Sequence, residues 1–354
     1  MSELTKIEWA THTWNPWEGC TKVSPGCAHC YAEARNQRFH AGANWGPGAP
    51  RRRTKNWSAP FKWNAACAKQ DELISSSSGF SSNTRARVFT SLCDWLDPEV
   101  PIAWLADFLK LIHDTPNLDY LLLTKRPETW HKRIEEANYL LTQISQGAAH
   151  MAVKWLIGKE APPNVWLGVS VEDQQRADER IPELLKIPAN IRFLSVEPLL
   201  GPLDLESVGP NSRTAHLYDG RGRPGCNGKQ VCNPLTGEAP YYREFDGEPC
   251  VAFRESLDWV IIGGESGPGA RPCNVGWIQS LLAQCQLAGV PCFVKQLGDY
   301  CVTDNANCQD WPDEILIQGE GEGFAAGRVL LGKKGGDPSE WPEDLRVRKF
   351  PSMP

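Results

Sequence analysis

Three cysteines lie within eleven residues near the start of the chain, at Cys20, Cys27 and Cys30. Their spacing is C-x6-C-x2-C, and Pro25 and Gly26 favour a turn between the first two. A loop that turns in this way can aim three sulfurs at one small object, and thiolates are ligands of both zinc and iron–sulfur clusters. The loop contains no fourth cysteine. It therefore suggests a cluster whose remaining iron is open to a substrate or cofactor.

A structural zinc site is the alternative interpretation of the same loop. Structural zinc is normally closed by four ligands, and a histidine can complete a set of three cysteines. The candidates for that fourth ligand are His12, His29 and His40.

The loop resembles the signature of radical S-adenosylmethionine (SAM) enzymes, in which three cysteines bind a [4Fe-4S] cluster. Their usual spacing is C-x3-C-x2-C with an aromatic residue before the last cysteine. Here His29 occupies that place, and the first gap is three residues longer. The wider gap is similar to that of phage-associated three-cysteine-motif proteins. This likeness covers most of residues 1 to 300 and extends to Ile7-Glu8-Trp9, Trp14-Asn15-Pro16, Cys30-Tyr31-Ala32-Glu33, Leu123-Thr124-Lys125-Arg126-Pro127, Ser195-Val196-Glu197-Pro198-Leu199 and Gly263-Gly264-Glu265-Ser266-Gly267-Pro268.

The resemblance implies two cofactors and a redox partner. The cofactors are a [4Fe-4S] cluster on Cys20, Cys27 and Cys30, and SAM bound through its amino and carboxylate groups to the open iron. The partner is an electron-donor protein such as a flavodoxin or ferredoxin, and a further partner protein is possible in this family.

The elements that must position the loop follow from alternating apolar runs and helical patterns. Repeated strand-then-helix units with continuously apolar strands are typical of a parallel sheet buried on both faces. We predict about seven such units, forming a partial or complete (β/α) barrel of the radical SAM type, with an open sheet as the alternative. Predicted strands are one before the cysteine loop and residues 87–92, 120–124, 165–171, 191–196, 259–262 and 292–295. Predicted helices are residues 32–39, 102–113, 128–141, 174–185 and 275–288.

Polar side chains follow most of these strands. In a barrel the carboxyl ends of the strands meet at one mouth, so we expect these side chains to converge there. Hydroxyls, carboxylates and cations suit a ligand such as SAM, which has a ribose, a carboxylate and an ammonium group. The predicted catalytic residues are Glu197 and Lys295. The predicted cofactor-binding residues are His29, Ser91, Asp94, Thr124, Lys125, Ser170, Glu172, Glu197, Gly263, Gly264, Glu265 and Ser266.

Residues 34–70 form a basic-aromatic segment without any Asp or Glu. Its eight cations are interleaved with aromatic residues, a combination that can grip phosphates and stack on bases. We therefore expect a nucleic acid or nucleotide substrate, with a solvated loop as the alternative. The net charge of −6 argues against a generally basic nucleic-acid binder. The cations are Arg35, Arg38, Arg51, Arg52, Arg53, Lys55, Lys62 and Lys69.

Composition and length set the remaining expectations. No run is apolar enough to cross a membrane, and the N-terminus lacks signal-peptide features, so we expect a cytoplasmic protein with no membrane partner. In that compartment the thirteen cysteines are thiols or metal ligands. We predict a domain over residues 1–300, an insertion at 204–256 and a C-terminal extension at 301–354. We interpret Cys226, Cys232 and Cys250 of the insertion as ordinary thiols rather than an auxiliary metal site.

The sequence therefore predicts a radical SAM-like enzyme that acts on nucleic acid or a nucleotide, in modification or repair. A non-enzymatic, zinc-stabilised nucleic-acid-binding protein is one alternative. A cluster-bearing sensor or partner subunit that never cleaves SAM is another.

Overall fold

The computed structural model describes residues 5, 7–78, 85–209, 233–242, 249–253, 255–303, 326–328 and 333–352. The strands in this part of the chain are β1 (His12–Thr13), β2 (Trp17–Glu18), β3 (Arg52–Arg53), β4 (Ala86–Phe89), β5 (Leu118–Thr124), β6 (Val165–Ser170), β7 (Ile191–Val196), β8 (Glu238–Tyr242), β9 (Pro249–Phe253), β10 (Trp259–Gly263), β11 (Cys273–Asn274), β12 (Cys292–Gln296), β13 (Cys301–Thr303) and β14 (Ala326–Arg328). The α-helices are α1 (Tyr31–His40), α2 (Ala59–Ser78), α3 (Ile102–Asp114), α4 (Trp130–Ile144), α5 (Gln146–Leu156), α6 (Gln174–Lys186) and α7 (Val275–Leu287).

The protein is a mixed α/β protein with a seven-stranded parallel sheet in the order β1-β4-β5-β6-β7-β10-β12. This sheet confirms the predicted parallel α/β class and is compatible with a partial (β/α) barrel. The helices predicted from apolar periodicity occur with ends within three residues of those predicted.

Two helices, α2 and α5, are absent from the sequence prediction. The serine-rich residues 75–82 are typical in sequence of a mobile linker or loop tip, and this interpretation is wrong at its start, because Ser75 to Ser78 continue α2. The remainder of that linker lies outside the described residues. In the predicted insertion, β8 and β9 form an antiparallel pair. Cys226 and Cys232 lie outside the described residues, and of Cys250 only the backbone, in β9, is described.

The chain divides into two compact units. The first comprises residues 1–168 and 187–191. Its core contains an aromatic cluster in which Phe108 of α3 contacts Trp14, Trp17 and Tyr120 at ring-centroid distances near 6 Å. Phe108, Trp14, Trp17 and Tyr120 are all buried. These two tryptophans therefore pack the interior of the first unit.

The second unit comprises residues 169–186 and 192–354. Strand β10 pairs in parallel with β7 and β12, and all five of its residues are buried. Residues near the C-terminus pack against this part of the sheet, since Val294 N donates to Val347 O and Trp259 Nε1 donates to Lys349 O, each at 2.8 Å. None of the helices within the described ranges has the length and apolar character needed to cross a membrane.

Candidate functional site

The cysteine loop of the first unit begins where β2 ends. Gly19 has a φ of 122°, and a Cβ there would lie 2.4 Å from the backbone oxygen of Asn44, so only glycine fits. The next residue, Cys20, forms an isolated parallel bridge with Trp45, and Gly46 N donates to Cys20 O at 2.9 Å. The backbone of Cys20 is therefore held by the Trp45–Gly46 segment before the loop turns.

Cys27 and Cys30 lie at the other end of the loop. Cys27 closes a short 3-10 helix, Pro25–Cys27, and its Sγ lies 3.9 Å from Ser24 Oγ. Cys30 is the N-cap of α1; its side chain makes no capping hydrogen bond, but the nearby backbone N–H groups of Ala32 and Glu33 act to lower its pKa. Burial nevertheless raises the pKa of Cys30, while Lys125 at the end of β5 opposes the rise. All three thiols of the loop are free and partly exposed.

Arg126 connects the cysteine loop to the end of β5. Its Nη1 donates to Cys20 Sγ at 3.6 Å and to Asp94 Oδ2 at 2.8 Å, and its Nη2 donates to Thr21 O at 2.6 Å. Burial and the nearby Asp94 carboxylate raise the pKa of Cys20 to about 12, and the Arg126 guanidinium opposes that rise. Burial works against the charge of Arg126, but Asp94 and Cys20 outweigh it and raise the Arg126 pKa.

Asp94 is the centre of this network. Its carboxylate accepts from Thr124 Oγ1 at 2.7 Å, from Arg126 Nη1 at 2.8 Å, and from Lys125 N and Leu96 N at 3.0 Å. Four donors satisfy a carboxylate, so Asp94 and Thr124 fix the strand ends against each other. Their interactions differ from the direct contact with SAM that we predicted from the sequence.

The other candidates near the cysteine loop have different surroundings. Ser91 accepts a hydrogen bond from Tyr31 Oη through its backbone oxygen at 2.5 Å, so it holds the start of α1. Lys125 is half-buried, and His29, which precedes Cys30, is exposed. The structure therefore brings Cys20, Asp94 and Thr124 into one network that also includes Arg126.

Arg51 is buried beneath the same loop. Its side chain is fully buried and pairs with Asp97, whose exposure is 1%, at an Nε–Oδ2 distance of 2.7 Å. Arg51 Nη2 also donates to Thr21 Oγ1 at 2.8 Å, and Nη1 donates to the backbone oxygens of Gly46 and Ala49. The expectation that Arg51 faces a polyanion is therefore wrong, because every donor group of its guanidinium is occupied inside the protein.

Other cations of the basic-aromatic segment are also paired. Arg35 and Arg52 bind Glu18 at 3.0 and 3.3 Å, and Arg53 binds Asp107 at 2.7 Å while lying over the Trp57 ring. Within the described residues, no carboxylate lies at ion-pair distance from a set of four exposed cations of this segment. These are Arg38, Lys55, Lys62 and Lys69.

A separate group of polar residues lies at the strand ends of the second unit. Lys295 Nζ donates to Glu197 Oε1 at 2.7 Å, and Ser195 Oγ donates to Glu197 Oε2 at 3.4 Å. The side chains of Glu197 and Lys295 are 14% and 29% exposed, so the pair is accessible to a small ligand. A Cβ on Gly263 would lie 2.9 Å from Glu197 Oε1, so the absence of a side chain at Gly263 leaves room for the Glu197 carboxylate.

Gly264 has a packing role. A Cβ on it would lie 2.2 Å from the backbone oxygen of Leu297, which is far inside van der Waals contact. Its own carbonyl accepts from Gln296 Nε2 at 2.8 Å. The Gly263–Gly264 pair therefore allows close approach of side chain and backbone within the protein, whereas we had expected it to admit a ligand.

The other predicted carboxylates of the second unit bind arginines. Glu172, with no exposed surface, accepts from Arg180 Nη1 at 3.0 Å, and the same nitrogen donates to Ser170 O at 2.7 Å. Glu265 accepts from Nε and Nη2 of Arg271 at 2.8 and 2.6 Å, and these hydrogen bonds raise the pKa of Arg271. Ser266, next in the chain, is half-buried. Among the predicted carboxylates of this unit, Glu197 is therefore the accessible one.

Comparison with protein families gives one match that covers most of the chain. The matching model is described as "Protein of unknown function (DUF5131)" and spans residues 4–335. The chain belongs to the DUF5131 family. Comparison with curated proteins and with solved structures gives no match. The family description assigns no reaction to DUF5131 proteins, so a functional proposal must rest on the residues described above.

The cysteine loop of this DUF5131 chain fits an iron–sulfur cluster in the chemistry of its donors. Three accessible thiols on one short loop, two of them beside cations, are soft ligands whose negative charge can be balanced. In the part of the chain that the structure describes, no three His, Cys, Asp or Glu side chains are arranged so that they could hold a metal ion. The thiols would therefore have to draw together around a bound group.

Cys20, Cys27 and Cys30 could be identified from spacing alone. Arg51 and Arg126 could not be assigned to the loop, because their partners lie 46 and 106 residues away in the sequence.

Proposed function

We propose that this DUF5131 chain is a radical SAM-like enzyme that holds a [4Fe-4S] cluster with Cys20, Cys27 and Cys30. The observation that carries the proposal is the group of three free thiols on one loop, beside Arg126 and Lys125. When bound, the cluster would supply one electron to SAM, which would be cleaved to methionine and a 5′-deoxyadenosyl radical able to take a hydrogen atom from a substrate.

The residues of the first unit support such a centre in three ways. Asp94, in the segment that follows β4, accepts hydrogen bonds from Thr124 Oγ1 and Lys125 N at the end of β5. Arg126 holds Thr21 and contacts the Cys20 thiol. Lys125 contributes a positive charge near Cys30. These cations would offset the charge of thiolates that are unfavourable in the metal-free protein, as the raised pKa values of Cys20 and Cys30 indicate.

In the second unit, we propose that Glu197 and Lys295 bind charged groups of the substrate, or bind SAM away from the amino and carboxylate groups that would ligate the iron. The pair is partly exposed, and its members can exchange partners. With a charged substrate, Lys295 would then bind an anionic group while Glu197 would bind a cationic one, each exchange replacing one ion pair by another. The hydrogen bond from Ser195 would keep Glu197 oriented, and the absence of a side chain at Gly263 would leave room for its carboxylate.

The radical SAM type of barrel and the nucleic acid or nucleotide substrate are part of the same proposal. The parallel sheet supports the proposed barrel. The second has the weaker support, because only four of the eight cations of the basic-aromatic segment are exposed without a carboxylate partner among the described residues, namely Arg38, Lys55, Lys62 and Lys69. A cytoplasmic location and an electron-donor protein such as a flavodoxin or ferredoxin follow from the proposed chemistry.

The test is anaerobic purification and reconstitution, with counts of iron and sulfide and an assay for 5′-deoxyadenosine from SAM. About four irons per chain and SAM cleavage under reducing conditions are expected. Single Cys20→Ala, Cys27→Ala and Cys30→Ala variants should lose the iron. Cys67→Ala, a matched change at a buried thiol of α2, should keep it.

Two results would contradict the proposal that this chain is a radical SAM-like enzyme. Stoichiometric zinc held by the loop, without iron, would favour the zinc-stabilised protein. A complete cluster that never cleaves SAM under any reductant would favour a sensor or partner subunit.

A further inference from the structure

We infer that Arg126 is a positioning residue for the proposed metal centre, which aims the Cys20 sulfur and stabilises its thiolate through a charge-assisted hydrogen bond. The inference rests on the proposed function. It makes the three cysteines inequivalent, because the Arg126 contact is to Cys20.

The geometry around Arg126 carries this inference. The residue is 5% exposed, and its guanidinium has three partners in the first unit. Nη1 lies 3.6 Å from Cys20 Sγ and 2.8 Å from Asp94 Oδ2, while Nη2 lies 2.6 Å from Thr21 O. The two nitrogens therefore hold both the thiol and the backbone immediately after it. Asp94 fixes the guanidinium in turn, as outer-shell partners commonly do at metal centres.

A lysine cannot reproduce this arrangement. Its single ammonium can supply positive charge, but it lacks the planar fork that reaches Asp94 and Thr21 through two different nitrogens. Arg126→Lys should therefore keep part of the charge effect and lose the orientation. Arg126→Met should lose both.

Three measurable consequences follow for a bound metal. A hydrogen bond to a coordinated thiolate lowers the energy of the sulfur lone pairs, so its removal should move the sulfur-to-metal charge-transfer band to lower energy. Loss of an outer-shell partner typically weakens metal affinity about tenfold to a hundredfold. In the iron-loaded protein, loss of the cation should also make the reduction potential more negative, because the reduced cluster carries more negative charge.

The experiment titrates the full-length, metal-free protein with Co²⁺ under anaerobic conditions and follows the charge-transfer band. The proteins are wild type, Arg126→Lys, Arg126→Met and Cys20→Ala. The matched control is Arg133→Met, since Arg133 is also a buried arginine of the first unit, but its Nη2 binds Val100 O at 2.8 Å. We expect Arg126→Met to bind Co²⁺ about tenfold to a hundredfold more weakly, with Arg126→Lys in between and Arg133→Met unchanged.

The shift of the band separates a thiolate contact from a purely structural role. Weaker binding with an unmoved band in both Arg126 variants would overturn the inference, because it would mean that Arg126 only holds the loop. Wild-type affinity and band in both variants, with binding lost in Cys20→Ala, would also overturn it and leave the proposed function intact. Should Arg126→Met fail to fold, the band and the Co²⁺ affinity of Arg126→Lys decide whether Arg126 contacts the thiolate or only holds the loop.

One further result would contradict the proposed function itself. If the wild-type protein binds neither Co²⁺ nor iron through its cysteine loop, the metal centre is wrong and the role of Arg126 falls with it.

Discussion

Arg51 and Arg126 hold the same residue, Thr21: Arg51 Nη2 donates to its hydroxyl at 2.8 Å, and Arg126 Nη2 donates to its carbonyl oxygen at 2.6 Å. Two buried cations thus fix the residue that follows Cys20, although neither is near it in sequence. Each cation also pairs with a buried aspartate, Asp97 or Asp94. The loop is therefore attached to the protein interior by charged hydrogen bonds rather than by apolar packing alone.

The first prediction concerns Arg51. Arg51→Met should lower the free energy of unfolding by about 3–5 kcal/mol, because it leaves the buried Asp97 carboxylate without its ion-pair partner. Urea denaturation of the metal-free protein measures the loss. Arg52→Met is the control, since Arg52 is about half exposed and its pair with Glu18 should contribute less than about 1 kcal/mol.

The same pair of variants tests the basic-aromatic segment. If Arg51→Met unfolded at the same urea concentration as wild type but bound nucleic acid more weakly, Arg51 would be a surface contact. The buried pairing described here would then be wrong.

The second prediction concerns Gly264. Gly264→Ala should destabilise the protein by about 1–3 kcal/mol or prevent folding, because its Cβ would meet the backbone oxygen of Leu297 at 2.2 Å. Thermal unfolding measures the effect. The control is Gly201→Ala, where a Cβ would meet nothing within 4 Å. Equal melting temperatures for the two variants would show that Gly264 is not tightly packed and would restore a ligand-binding interpretation.

How far the sequence predicts the fold depends on how local the signal is. The amphipathic helix α3 and the buried strand β5 were predicted within two residues at each end, because their apolar period lies inside one element. Helix α5 was missed because only Ser145 separates it from α4. That single residue caps α5 by accepting from Ala148 N, so there is no loop between the helices to mark the boundary.

In the candidate site, too, only the local signal could be predicted from the sequence. The cysteine spacing is local, and the sequence alone identifies it. Whether a polar residue at a strand end faces a ligand or a protein partner depends on contacts between distant segments. Glu172 and Glu265 were predicted as ligand-binding residues, but their partners Arg180 and Arg271 occupy them. No periodicity or spacing distinguishes these two from Glu197.

The third prediction concerns the accessible ion pair of the second unit. Glu197→Gln and Lys295→Met should each weaken SAM binding about tenfold, the effect of losing about 1.4 kcal/mol. Equilibrium dialysis with labelled SAM measures the affinity, and the 5′-deoxyadenosine assay follows its cleavage. Nucleic-acid affinity should stay close to wild type. Glu179→Gln, which removes an exposed carboxylate of α6 paired with Arg176, is the control.

Unchanged SAM affinity in both Glu197→Gln and Lys295→Met would remove this pair from the proposed site. A double exchange, Glu197→Lys with Lys295→Glu, adds a further check. It restores an ion pair and so protects the fold, but it reverses the charges that a ligand meets.

The last prediction concerns pH and Asp119 in β5. Burial raises the pKa of Asp119 above its ordinary value of 3.8, and Arg85 and Arg87 offset only part of the effect. The folded protein therefore holds this proton more tightly than the unfolded chain does. As pH rises from 3.8, the unfolded chain ionises first, and the contribution of Asp119 to stability falls until the folded carboxyl has also ionised.

Asp119→Asn stays neutral throughout and makes no such contribution. The unfolding free energy of Asp119→Asn relative to wild type should therefore increase with pH across that window and level off above it. Urea denaturation of both proteins, in the same metal-free state, from below pH 3.8 to neutrality measures the difference. A difference that is constant with pH, or that decreases, would show that the charge of Asp119 is better balanced by its arginines than the buried position in β5 implies.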